Sequence, residues 1–315
     1  VQSGTAVPRP VGGAGVSIVV CSRDRPEQLA GALAAIALVR RPEDELIVVD
    51  SASHGDATVR AAQQGGADHV VRCTLPGLSR ARNAGLRAAS RDVVAFTDDD
   101  CLPEQGWLEE LSAALAEPGV AVATGAVRPV GEGFLSGMTQ QTASRQCHPF
   151  PGNPSGHGAN MAMRRARLLA VGGFDERLGA GAPLRAADDW DVFLRLVREE
   201  GALAYTPRAV VRHEQWRSTR QALRVRHGYS LGAGALAVKC WKLGSPGDRV
   251  QARWLLTGRL REGAQAVLRG ALTLHWFRVA AGIATLTGAA RGAAAALRLD
   301  LRNGHLVAGR PDGER

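Results

Sequence analysis

Three consecutive aspartates, Asp98, Asp99 and Asp100, close the apolar run Asp92-Val-Val-Ala-Phe-Thr97, which reads as a buried β-strand. Carboxylates crowded at the C-terminal edge of a strand repel one another unless a cation or a ligand compensates them, so this cluster predicts bound-cation chemistry. A solvated acidic turn is the plain alternative. Further along, Asp188-Asp189-Trp190-Asp191 opens a stretch with helical spacing. Three carboxylates in one turn are the second candidate for chemistry. Acids in a first turn also favour the helix dipole, which accounts comfortably for one of these three and not for all.

The elements that must position these groups follow from hydrophobic patterning. Val16 to Cys21, Leu46 to Asp50, His69 to Cys73 and Val93 to Thr97 are short apolar runs. Between them, Glu27 to Val39, Asp56 to Gly65 and Leu78 to Ala89 are Ala-rich with helical spacing. This β-α-β-α-β-α-β alternation predicts a mainly parallel sheet flanked by helices, whose ligands bind beyond the carboxyl ends of the strands. The residues to inspect are then Ser22-Arg23-Asp24-Arg25, Asp50-Ser51-Ala52-Ser53 and Asp98 to Cys101. Pro26 suits the first turn of a helix. A helix over Glu104 to Leu115 and a strand over Val120 to Val127 come next. Gly131 to Gly158 reads as a loop or lid, Met161 to Val171 and Asp188 to Glu200 as helices, and Leu203 to Arg212 as a strand. From Thr219 the pattern is helical, with a turn at Gly244-Ser-Pro-Gly247.

Composition narrows the class. The 315 residues are 45% apolar and 4% aromatic, a globular balance. Five cysteines lie far apart without a Cys-x-x-Cys pair, which argues against a disulfide framework or zinc site and for a reducing cytoplasm. The net charge of +9 is uneven: residues 212 to 302 hold 16 Lys+Arg against 4 Asp+Glu, while residues 1 to 211 hold 21 against 24. That basic region would suit anionic lipid or a phosphorylated acceptor, a solvated helical surface being the plain alternative; no nucleic-acid motif accompanies it. Ala271 to Ala290 has the length of a membrane span, but His275 and Arg278 interrupt it, so a non-spanning helix is expected.

The order strand, Ser-Arg-Asp-Arg-Pro, helix, Val-Val-Asp-Ser-Ala-Ser, Leu-Ser-Arg-Ala-Arg-Asn-Ala-Gly, Asp-Asp-Asp resembles glycosyltransferase family 2 over about residues 16 to 216. The resemblance implies a GT-A, Rossmann-like nucleotide-sugar-binding fold and inverting transfer of a single sugar. It places Asp98 on the nucleoside and Asp100 on Mg2+ or Mn2+, with Asp99 beside them. It puts Asp50, Arg80 and the loop Cys21, Ser22, Arg23 and Arg25 around the nucleotide. Gly156-His-Gly-Ala-Asn-Met-Ala-Met-Arg-Arg165 resembles the segment beneath the donor sugar, with His157 and Asn160 as hydrogen-bonding groups. Asp189 matches the base position, Asp188 stands one residue away in place of the usual Glu, and Asp191 would bind acceptor or cap the helix. His213, after the last strand, would be a further metal or diphosphate ligand, and Trp216 and Arg217 would lie near acceptor or diphosphate. The Gln-x-x-Arg-Trp segment of processive synthases is not evident.

The expected organisation is a flexible leader at residues 1–15, a GT-A catalytic domain at 16–216, a basic α-helical region at 217–302 and a tail at 303–315. The donor would be a UDP-, GDP- or dTDP-sugar, the location cytoplasmic, with peripheral membrane contact through the basic region and no nucleic-acid partner. Three other classes compete, of which a phosphatase with an aspartyl nucleophile would not require the distant Asp188-Asp189-Trp190-Asp191 helix. A nucleotidyltransferase would want a Gly-rich phosphate loop, which Ser22 to Pro26 lacks. A non-catalytic lipid- or anion-binding protein would leave both acidic clusters without a use.

Overall fold

The computed structural model describes residues 15–131, 141–147, 156–215 and 218–308. The first part of the chain alternates as the patterning predicts: β1 (Val16–Ser22), α1 (Pro26–Val39), β2 (Glu45–Ser51), α2 (Ala57–Gln64), β3 (His69–Cys73), α3 (Leu78–Ala88) and β4 (Val93–Asp98). Helical crossovers return the chain to the same end of the sheet each time, so β3, β2, β1 and β4 are neighbours and parallel. β1 and β2 are buried along their whole length because helices cover both faces.

β5 (Cys101–Pro103), α4 (Trp107–Ala116), β6 (Val120–Val130), β7 (Arg145–Cys147) and β8 (Asn160–Arg164) follow, then α5 (Arg165–Ala170), α6 (Asp188–Glu200) and β9 (Ala202–Glu214). The sheet continues from β4 through β8, β6 and β9 to β5, with β7 also on β9. Here the expectation of a mainly parallel sheet is corrected: β8 runs antiparallel to both β4 and β6, and β5 and β7 run antiparallel to β9. An apolar run specifies a strand but not its direction, which the pairing with distant strands sets. The helix expected over Met161 to Val171 is likewise a strand followed by a short helix. Met161, Ala162 and Met163 are all fully buried between layers, a setting in which apolar periodicity cannot separate strand from helix. Most of the loop or lid expected between Gly131 and Gly158 lies outside the described residues, as do residues 1–14 of the expected leader.

The C-terminal part comprises α7 (Thr219–Leu243), α8 (Pro246–Leu272), α9 (Trp276–Leu297) and a hairpin of β10 (Leu299–Arg302) and β11 (His305–Ala308). Residues 305–308, expected as tail, are thus ordered into a strand. Gly244 ends α7 in the left-handed region at φ 86°, and Ser245 and Asp248 form a capping box that starts α8. Small residues let the three helices meet closely. A Cβ on Gly292 or Gly288 of α9 would strike the backbone of Leu231 or His227 on α7, and Gly263 of α8 faces Gly282 of α9. By length and composition α9 is the one helix among the described residues able to cross a membrane, but its small-residue face is packed against α7 and α8.

This part shares core with the sheet domain. Leu236, Cys240 and Leu255 pack on Leu194 of α6, and Leu306 of β11 packs with Leu178, Leu184, Ala235 and Ala296. The seam is tightest at Gly232 of α7, where an added Cβ would lie 2.6 Å from the carbonyl carbon and oxygen of Ala186. Gly232→Ala is expected to cost about 1–3 kcal/mol in chemical denaturation, from overpacking against backbone that cannot yield. Gly258→Ala on α8, where nothing lies within 4 Å, is expected to be neutral or stabilising through helix propensity.

Candidate active site

A cleft of about 870 Å3 opens at the carboxyl ends of β1 and β4 and extends to the face of α7 and α8. Its sheet-side wall carries Cys21, Ser22, Arg23, Arg25, Asp98, Asp99 and Asp100. Its far wall carries His157, Asp188, Asp189 and Trp190, and His213 closes one end. Two acidic segments that are distant in sequence therefore face one space.

The group between them is Arg82 of α3. It is buried, and its guanidinium donates to Asp188 Oδ2 at 2.6 Å, to Asp98 Oδ1 at 3.1 Å and to the Gly158 carbonyl at 2.9 Å. Burial alone would lower its pKa, but Asp188 and Asp98 outweigh that and raise it. Gly158 must lack a side chain, since a Cβ there would sit 2.9 Å from Arg82 Nη1.

On the sheet side, Arg25 forks onto the other two aspartates, with Nε 3.0 Å from Asp99 Oδ2 and Nη1 3.0 Å from Asp100 Oδ2. Burial pushes Asp99 up to about 6 even with Arg25 beside it. Asp100 also faces His213, whose Nε2 is 3.5 Å from Oδ1, and the Gln215 side-chain amide meets His213 Nδ1 at 2.8 Å and fixes the ring. Ligand atoms of Asp98, Asp100, His213 and Cys101 all lie within 4.8 Å of one another. Burial raises the Cys101 thiol well above its ordinary value, so it stays protonated and is the poorest donor of the four. The remaining carboxylate and imidazole donors fit a hard or borderline divalent cation such as Mg2+ or Mn2+.

On the far wall, α6 begins after a strained turn. Arg185 and Ala187 both adopt positive φ, 66° and 68°, and Ala186 between them rests on Gly232 of α7. Asp188 is buried on Arg82, and burial pushes its pKa up against that partner. Asp189 is half-exposed to the cleft, its Oδ2 accepting from the Gly158 amide at 2.9 Å and its Oδ1 from the Trp190 amide at 2.8 Å. Asp189 thus meets the cleft without a direct cationic partner in these bonds, whereas Asp188 is committed to Arg82.

Other sequence-designated residues sit elsewhere. Asp191 faces the protein interior, held by Arg195 at 2.7 Å and by the fully buried Lys239 of α7 at 2.6 Å. Lys239 also binds Asp175 at 2.6 Å, and Asp175 accepts the Leu306 amide of β11. Asp191 points inward because the helix places it on the buried stripe with Arg195, one turn on. Burial would raise its pKa, but Arg195 and Lys239 hold it below the ordinary range. Asn160 is buried, bonding Trp107, Ala126 and Ala209, and so ties β8 to α4, β6 and β9. Asp50 accepts the Ser53 amide and has Arg72 Nε 3.1 Å away, so it shapes the loop after β2 while its neighbour Ser51 lines the cleft. Arg80 turns to Glu176 and the Pro76 carbonyl. Trp216 and Arg217 lie outside the described residues.

Sequence reasoning chose Arg80 and passed over Arg82. The signal was present: Arg82 falls in the stripe of Leu78, Ala81, Gly85 and Leu86, and a charged residue on an apolar stripe needs buried partners. Arg185, Tyr229 and Arg259, which also line the cleft, were passed over; an isolated Arg or Tyr in a turn or a helical stretch carries no such signal.

Comparison with known proteins gives a consistent picture. Residues 17–171 match the family described as Glycosyl transferase family 2. A pre-mycofactocin glycosyltransferase of Mycobacterium tuberculosis is 30% identical over 172 residues, 52% of this chain and 35% of that protein. A glucosyl-dolichyl phosphate glucuronosyltransferase of Haloferax volcanii is 27% identical over 218 residues, 63% of this chain and 69% of that one. The chain thus spans about a third of the length of the first of these relatives. Among solved structures, the mannosyltransferase PcManGT from Pyrobaculum calidifontis, in complex with GDP-Man and Mn2+, superposes with a TM-score of 0.62 at 19% identity, covering 94% of this chain and 91% of that one.

Two outcomes follow from the geometry. Arg82→Gln strands carboxylates that share a buried cation, so a loss of about 3–5 kcal/mol is expected in urea denaturation; a loss below about 1 kcal/mol would mean the bridge is not structural. For Asp191 the folded-state pKa lies below the unfolded one, so its stabilisation is complete above about pH 3.9 and is lost as pH falls through the lower folded value. The stability gap between wild type and Asp191→Asn should therefore be full at neutral pH and close in acid.

Proposed function

We propose, from the premise that this chain carries a glycosyltransferase family 2 domain over residues 17–171 with a GT-A-like fold, that it moves a single sugar from a nucleoside-diphosphate sugar to an acceptor nucleophile with inversion. The observation that carries this reading is that one cleft holds both a divalent-cation donor set, Asp98, Asp100 and His213, and a separate cleft-facing carboxylate, Asp189. Transfer needs both at once: compensation of the charge developing on the leaving diphosphate, and removal of the acceptor proton.

Asp98, Asp100 and His213 would hold the cation, Mg2+ or Mn2+. When bound it supplies Lewis-acid stabilisation of the leaving diphosphate. Arg25 keeps Asp99 and Asp100 oriented and adds positive charge to the diphosphate side of the cleft. The loop Cys21, Ser22 and Arg23 edges the nucleoside, and His157 with the Gly156–Gly158 backbone floors the sugar. Asp189 takes the acceptor proton; the Gly158 and Trp190 amides keep the carboxylate aimed while leaving it open to the cleft. Asp188 serves as the buried counter-charge of Arg82, which supports Asp189 as the base.

The acceptor side is formed by Arg185, Tyr229 and Arg259, and the surplus of basic residues in the C-terminal helices supports contact with an anionic surface. Free cysteines at 21, 73, 101 and 240 support a reducing, cytoplasmic setting.

Release of nucleoside diphosphate from UDP-, GDP- and dTDP-sugars with Mg2+ or Mn2+ tests the reading without knowledge of the acceptor. At least one donor should be turned over; EDTA and Asp100→Ala should each abolish turnover, and thermal stabilisation by UDP, GDP or dTDP with metal should name the donor class. Asp189→Asn should leave nucleotide-induced stabilisation intact and lower acceptor transfer by about 10²–10⁴-fold. Turnover that survives both EDTA and Asp100→Ala would sink the metal assignment.

A further inference from the structure

The corner between α8 and α9 gathers several exposed large apolar side chains. Leu268, Leu272, Leu274 and Trp276 are 60%, 76%, 76% and 75% exposed. Leu260 on α8 and Ile283 on α9, both half-exposed or more, extend the same apolar faces at helical spacing. The corner is nonetheless ordered. The His275 amide donates to the Gly270 carbonyl at 2.8 Å, the Arg278 amide donates to the His275 carbonyl at 2.9 Å, and Leu274 turns the chain at φ 51°. Gly270 lies so close to Val279 that a Cβ would come 2.7 Å from its amide nitrogen. Backbone needs are met internally, and large apolar side chains are left pointing outward.

Charge around this tip has one sign. Between Glu262 and Asp300 there is no acidic residue, while Arg269 on α8 and Arg278 on α9, which flank the corner, are both exposed. Leucines and a tryptophan flanked by two exposed arginines match a bilayer with anionic head groups in both layers, acyl chains for the tip and phosphates for Arg269 and Arg278. Tryptophan at such a boundary places an apolar ring below the head groups and its N–H among them.

We propose that the α8–α9 corner is a lipid-insertion wedge that docks the protein reversibly on an anionic bilayer. Leu268, Leu272, Leu274 and Trp276 enter the interface, and Arg269 and Arg278 contact head-group phosphates. This deepens the anionic-surface contact proposed above and rests on that reading only for the sign of the charge. α8 also links the wedge to the cleft: Arg259 lines the cleft and Leu272 ends the helix, thirteen residues or about 20 Å further on. A docked molecule therefore holds its acceptor-side wall within about one bilayer leaflet's depth of the surface.

The full chain is sedimented with vesicles of phosphatidylcholine alone and of phosphatidylcholine with about one-third phosphatidylglycerol, at about 0.15 M salt. Wild type is expected to bind the anionic vesicles at least about tenfold more strongly than the neutral ones. The triple variant Leu272→Ser, Leu274→Ser, Trp276→Ser should lose at least about tenfold of that binding with an unchanged melting temperature, since these side chains have few contacts to lose. Arg269→Gln with Arg278→Gln should reduce the preference for anionic vesicles while sparing the fold. Equal binding to both vesicles, or full binding by the triple variant, overturns the proposal. So does a wild type that is dimeric without lipid while the triple variant is monomeric, for the tip would then be an interface between copies. No step of this test reads sugar transfer, so its failure leaves the enzymatic reading standing, and failure of donor turnover leaves the wedge standing.

Discussion

The site depends on Arg82. Two acidic clusters cannot share a partly dry cleft on their own, since each carboxylate buried near the others raises the cost of ionising the next. A single guanidinium, anchored on α3 and fixed to the Gly158 carbonyl, sits between Asp98 of one cluster and Asp188 of the other and makes their approach tolerable. A lysine could not take its place. The planar fork reaches three acceptors in different directions, whereas an ammonium is a compact point charge on a flexible stem. Because Arg82 satisfies Asp188, the adjacent Asp189 can face the cleft; because it satisfies Asp98 on one oxygen only, that carboxylate keeps capacity for a further ligand.

The second constraint lies beneath the site. α6 must start where its first turn meets the cleft, and it is held there from below by buried charge: Lys239 of α7 bonds Asp191 on α6 and Asp175 on the preceding loop, and Arg195 closes the group onto the Val171 and Gly173 carbonyls. Breaking a buried pair of this kind strands a charge, which makes the arrangement all-or-none. Gly232 then presses Ala186, setting the strained turn that leads into Asp188. The C-terminal helices are therefore part of the machinery that shapes the cleft, and a boundary at residue 216 divides the sequence but not the site.

Legibility followed the kind of information each feature needs. The four parallel strands and their helices were readable because local apolar runs and helical spacing specify them, and the carboxyl-end rule then located the cleft. Asp98, Asp99 and Asp100 stand out by residue type at a strand end, and Asp189, His157 and His213 were named through the family resemblance; all six line the one cleft. Strand direction at β8, and the inward turn of Asp191 and Asn160, depend on long-range pairing that no local window contains. Arg80 and Arg82 differ by two positions on one helix, and only the face decides between them: Arg82 lies on the buried stripe and reaches the acidic clusters, while Arg80 reaches Glu176. The basic count of the last third was legible as a number, but the placement of Arg269 and Arg278 beside an exposed apolar corner was not.

The span of the family match carries a consequence of its own. It ends at residue 171, so it includes Asp98, Asp100 and the His157 segment but stops before Asp189, Tyr229 and Arg259. On the proposed reading, the matched part is the half that handles a nucleotide-sugar, whose diphosphate poses the same electrostatic problem whatever the acceptor. On the same reading the unmatched part holds the proposed base and acceptor wall, where shape and charge must fit a molecule that differs from one enzyme to the next. Arg185 and Arg259 on that wall favour an acceptor carrying negative charge, and Tyr229, partly exposed beside them, offers an aromatic face and a hydroxyl. Selectivity of this protein is thus expected to reside in the strained turn before α6 and in α7 and α8, the same elements that Lys239 and Gly232 hold in register with the base.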